Sequence, residues 1–83
     1  MEQFNKYVSF QSVEDVHDFV QSVSNINYDI DLLQDRYIVN AKSILGILSL
    51  HINKPINLKA YPLQNSNSKD YDKLNSLIRK YEI

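Results

Sequence analysis

Chemistry has few places to reside in this chain. It contains no cysteine, so thiolate nucleophiles, disulfides and cysteine zinc sites are all absent, and the fold must be held by packing alone. Two histidines are left as proton or phosphoryl carriers. His17, in "VEDVHDFV", stands among Glu14, Asp15 and Asp18. That setting repels an anion, so a solvated surface histidine is the plainer reading and a phosphoacceptor the sharper one. His51 follows an apolar segment, where its cation would suit the negative end of a helix dipole. Neither has a second histidine three or four residues away, so metal-ligand spacing is missing. Two serines complete the set, each just ahead of a helical pattern: Ser12 before "VEDVHDFVQSV" and Ser43 before "ILGILSL". A serine so placed accepts a backbone N–H and stabilises the helix by about 1 kcal/mol. At Ser43 a phosphate would meet free N–H groups and the positive end of the dipole, whereas at Ser12 the neighbouring Glu14, Asp15 and Asp18 supply the opposite field. The reading is of a protein that is not an enzyme, with no catalytic residue, no metal and no cofactor.

The elements that must position these residues alternate between short strands and amphipathic helices. "KYVSF" (Lys6 to Phe10) is aromatic and β-branched and reads as a strand. A helix capped by Ser12 follows, with Val13, Val16, Val20 and Val23 recurring at three and four residues and Phe19 widening the stripe. "YDIDLLQDRYIV" sets Tyr28, Ile30 and Leu32 against Asp29 and Asp31, turns around Gln34 and Asp35, and resumes at Tyr37, which predicts a hairpin. "SILGILSL" reads as a short helix, "INLKAY" (Ile56 to Tyr61) as a fourth strand, and Pro62 with "QNSNS" as a loop. Asn67 or Ser68 then caps a helix whose Tyr71, Leu74, Ile78 and Tyr81 share one face.

The order βαββαβα predicts an α/β (α+β) open-faced sandwich: a four-stranded, mainly antiparallel sheet with the helices on one face. With 83 residues, 43% of them hydrophobic, the whole of 1–83 is expected to form one small domain with a thin core. Nine Lys and Arg against ten Asp and Glu leave no basic excess for a phosphate backbone, so no nucleic acid is expected as a partner. No apolar stretch approaches the ~20 residues that span a bilayer, and the start "MEQFNKYVSF" lacks a signal pattern, so a cytoplasmic protein without membrane insertion is expected. Gly46 inside a helix costs roughly 1 kcal/mol against alanine, which suggests a close neighbour. Ile44, Leu45, Ile47, Leu48, Leu50 and Ile52 are too widely spread for one buried face, so some must be exposed.

"VNAKSILGILSL" (Val39 to Leu50) closely resembles the second-helix region of HPr, the histidine-containing phosphocarrier family of the bacterial sugar phosphotransferase system. "FVQSVS" (Phe19 to Ser24) is similar to the end of that family's first helix, and the likeness covers roughly residues 6 to 82. It implies the HPr-like fold and protein partners, either phosphotransferase components or a regulator. The family's activity depends on a His-Ala-Arg-Pro type motif at the start of the first helix, whose histidine takes phosphate from enzyme I and gives it to enzyme IIA proteins. Counting back without a gap from "FVQS" puts that histidine on Ser12, the arginine on Glu14 and the proline on Asp15, with only Gln11 between strand and helix. The phosphohistidine relay is therefore expected to be absent. Ser43 occupies the position that a dedicated ATP-dependent kinase phosphorylates in family members of low-GC bacteria, in carbon catabolite control, and Lys42 would help hold the phosphate. The family's docking patch corresponds to Ile44, Leu45 and Leu48, with His17 nearby. The expectation is a divergent HPr-like domain acting as a regulatory or docking module. The alternatives are a phosphocarrier using His17, or a structural or oligomeric protein that kept only the fold. The oligomeric state is left open.

Overall fold

Alternation does most of the folding here. Tyr28, Ile30 and Leu32 are fully buried while Asp29 and Asp31 point away from the core. One strand later the same period puts Ile56, Leu58 and Ala60 in the core and Tyr61 in solvent. The computed structural model, which describes residues 2–83, runs β1 (Phe4–Val8), α1 (Val13–Val23), β2 (Tyr28–Gln34), β3 (Tyr37–Asn40), α2 (Ile44–Leu48), β4 (Ile56–Pro62) and α3 (Ser68–Tyr81). The four strands form one antiparallel sheet in the order β1-β4-β2-β3. β4 lies in the interior, so Ala60 faces both Phe4 and Ile30, and Leu58 faces both Lys6 and Leu32. One face of the sheet carries this apolar set, against which Val16, Phe19, Val20 and Val23 of α1, Ile47 of α2, and Leu74, Leu77 and Ile78 of α3 are buried. The predicted order and open-faced sandwich are what the chain forms.

Several boundaries move, each for a physical reason. β1 covers Phe4–Val8 rather than Lys6–Phe10, because its partner β4 begins opposite Val8 at Ile56. Beyond it the chain turns inward. The Ser9 N–H donates to the Tyr81 carbonyl at 3.0 Å and the Phe10 N–H to the Ile52 carbonyl at 2.7 Å. Phe10, fully buried, packs on Phe19 and Tyr81 with ring centroids 5.1 Å away in each case. Ser9, Phe10 and Gln11, not Gln11 alone, therefore separate the strand from the Ser12 cap. The hairpin turns at Asp35 and Arg36, since Gln34 pairs with Tyr37. Asp35 carries φ 55°, a left-handed conformation that aspartate tolerates better than most residues. Pro62 ends β4 instead of opening the loop, and α2 is one short helix, with Ser49 as its C-cap. Val13 does not join the buried stripe: as the first residue of α1 it is 60% exposed.

α3 starts with a reciprocal cap. The Asn67 side chain accepts from the Lys69 and Asp70 N–H groups, while the Asp70 carboxylate accepts from the Asn67 N–H at 3.0 Å. The same carboxylate accepts from the backbone N–H of Asn27 at 3.2 Å, tying the loop after α1 to α3. These bonds, that of Asn27 first, hold Asp70 below the ordinary carboxylate range.

Candidate functional site

Ser12 and Ser43 open α1 and α2, which pack against each other. Each takes an extended backbone conformation and accepts one N–H from the third helical residue at 3.1 Å: Ser12 Oγ from Asp15, Ser43 Oγ from Gly46. The electrostatics of the two ends differ. At α1, Asp15 Oδ2 accepts the N–H of Gln11 at 3.0 Å, and Glu14 and Asp15 both lie in the first turn. A carboxylate therefore stands over the start of α1. The acidic field reaches outward as well: Tyr81 is pushed above the ordinary phenol value by burial first, then by Asp15 and Asp18. A depression of about 350 Å3 lies here, lined by Gln11, Asp15, Lys80 and Tyr81 among others.

At α2 the first turn holds no acidic residue. Ser43 is half-buried, its own N–H donating to the Asn40 carbonyl at 3.0 Å. Gly46 has the close neighbour its sequence position suggested. A Cβ there would stand 3.2 Å from Val39 Cβ on β3 and 3.2 Å from Ser43 Oγ, so the glycine lets α2 lie directly on the sheet edge with its cap intact. Lys42 is placed differently from expectation. Its Nζ donates to the Ile26 carbonyl at 3.0 Å, beyond the end of α1, and its N–H goes to Asn40 Oδ1 at 2.8 Å.

The apolar residues of α2 divide. Ile47 is fully buried, Ile44 is half-buried against the core, and Leu45 and Leu48 are exposed, Leu45 by 83%. Ile44 thus contributes an edge rather than a full surface to the ridge. His17 is exposed on the outer side of α1. His51 does not cap α2. The last carbonyls of that helix are met by Ser49, whose N–H and hydroxyl both donate to the Gly46 carbonyl, while His51 sits exposed two residues further on. Its backbone instead pairs with the Gln34 amide, N–H to Oε1 at 2.8 Å and carbonyl from Nε2 at 2.9 Å. Among the described residues no His, Cys, Asp and Glu cluster could hold a metal ion. Periodicity did not reveal the exposed Val13 or the Asp15 bond. The available signal was the third-residue spacing of Asp15 from Ser12, which places a carboxylate over the helix start.

No family model matches the sequence, and no curated protein matches it. Solved structures do. The phosphocarrier protein HPr from Bacillus anthracis str. Ames is 28% identical, with a TM-score of 0.72 over 98% of this chain and 99% of that one. HPr-C-His from Thermoanaerobacter tengcongensis is 25% identical, with a TM-score of 0.70 over 96% of this chain and 93% of that one. Shared topology over nearly the full length of both chains, together with the Ser43–Leu48 segment, identifies the chain as an HPr-like protein.

Proposed function

We propose that this HPr-like domain works in or beside a bacterial phosphotransferase system as a docking or regulatory module, in the cytoplasm, without carrying phosphate on histidine and without catalysing a reaction. The observation that carries the reading is the contrast between the helix starts. At α1 the gapless count from Phe19 puts the family's histidine on Ser12, and the Asp15 carboxylate holds the neighbouring N–H of Gln11. At α2, Ser43 retains a capping geometry free of acidic neighbours in the first turn, beside exposed Leu45 and Leu48. A phosphoryl group on Ser43 would add about two negative charges where helix N–H groups and the dipole favour them. It would have to give up the Gly46 bond or share it.

Two experiments test this. Intact mass after ATP and the HPr serine kinase should show a single phosphate that vanishes in Ser43→Ala; no phosphate would leave Ser43 as a cap only. Leu45→Asp should abolish binding to a phosphotransferase component or regulator with an unchanged circular dichroism spectrum. Binding that survives the substitution would remove the docking role from α2.

A further inference from the structure

The charges along this chain are segregated. Residues 7–35 contain six carboxylates (Glu14, Asp15, Asp18, Asp29, Asp31 and Asp35) and neither lysine nor arginine. Three of the six fall on α1, where Glu14 and Asp18 are exposed and stand one turn apart on its outer side, with exposed His17 and Gln21 completing the row. Like charges at that spacing repel each other, which offsets part of what Glu14 gains from the positive end of the helix dipole. They form no ion pair within the molecule: among the described residues the one ion pair is Lys6 with Glu82, which leaves Glu14 and Asp18 out. Two lysines at the ends of α1 and α3 do not pair with them. Lys42 is held on the Ile26 carbonyl beyond the other end of α1, and Lys80 lines the depression beside Asp15 without pairing with it. Next to this acidic row, α2 contributes no charge at all and presents Leu45 and Leu48, while Val13 is exposed at the start of α1.

From these observations we infer that the α1–α2 face docks a protein surface whose apolar centre is ringed by lysine and arginine. The inference rests on the docking role proposed above and adds the charge class of the partner. Leu45, Leu48 and Val13 supply the area removed from water. Glu14 and Asp18 supply steering and selection against acidic surfaces, which would bring like charges together. Because the carboxylates are exposed, their contribution is screened by salt, whereas that of the leucines is not.

The test uses the full 15N-labelled protein and two synthetic amphipathic helical peptides with the same leucine stripe, one flanked by lysines and the other by glutamates. The lysine peptide is expected to bind, with shifts confined to the outer row of α1 and to Leu45 and Leu48. Raising salt, or introducing Glu14→Lys with Asp18→Lys, should weaken it about tenfold. The salt titration on the unaltered chain keeps the test valid if the doubly reversed variant folds poorly. If the glutamate peptide binds the same leucines as well or better, the docking role stands and the charge assignment falls. If neither peptide perturbs this face, both fall. Shifts that appear instead on α3, or salt-sensitive pairing of two copies through the α3 lysines, also overturn the inference.

Discussion

The starts of α1 and α2 are built alike at the backbone and oppositely in charge. Both are capped by serine, with the same 3.1 Å bond to the third residue. α1 then adds a carboxylate of its own at that third position, bonded to Gln11, whereas α2 has glycine there. The start of α3 shows how complete such closure can be: Asp70 satisfies Asn67 and Asn27 together and is buried. A helix N-terminus is an anion site only while its N–H groups await an anion. Two of the three helices here place a carboxylate in the first turn that bonds back to the residues before the helix, and α2 does not. Capping geometry by itself therefore does not separate these ends; the third residue sets their charge.

The largest expected effect undermines the α1 end from below. Phe10→Ala removes the buried ring that packs on Phe19 and Tyr81 just before the cap, and urea unfolding should register a loss of about 3–5 kcal/mol. Next comes a pH effect at the closed α3 end. Because Asp70 is held below its unfolded value near 3.8, its stabilisation is present above that pH and is lost as pH falls through the lower folded value. The unfolding midpoint of Asp70→Asn should be lower at neutral pH and flatter in acid. At the open end, Gly46→Ala pushes a Cβ against Val39, which is fixed in the sheet. It should destabilise by about 1 kcal/mol or more despite alanine's better helix propensity. Ser43→Ala should cost about 1 kcal/mol by loss of the cap. The smallest effect belongs to Leu45→Asp, at 83% exposure, which should change stability by no more than about 0.5 kcal/mol. A larger loss would mean that Leu45 is a packing residue and not a surface one.

Much of this was legible in the sequence where period and chemistry coincide. The alternation at Tyr28, Ile30 and Leu32, the cap at Ser12 and the tight site at Gly46 all follow from local pattern, whereas the pattern left the α3 cap between Asn67 and Ser68 and the structure places it on Asn67. The start of β1 was not legible, because "FNKYV" and "KYVSF" have equal strand character and only pairing with β4 chooses between them. Nor was the fate of Lys42 and His51: a long cation near two helix ends can serve either, and the choice depends on which carbonyls lie open in three dimensions. The same holds for Gln34, whose amide bonds the His51 backbone 17 residues away. The ridge on α2 was readable as an excess of apolar residues, but which of them would be exposed required the position of the helix on the sheet.

The central proposal is that the α1 start of this chain does not carry phosphate. It is tested most directly by incubating the purified protein with phosphoenolpyruvate and enzyme I, alongside an HPr that carries the active histidine, and reading the intact mass of each under neutral conditions. The account predicts a phosphoryl group on the HPr and none on this chain. An acid-labile phosphate on this chain, lost in His17→Ala, would contradict it and make the domain a carrier with a displaced histidine.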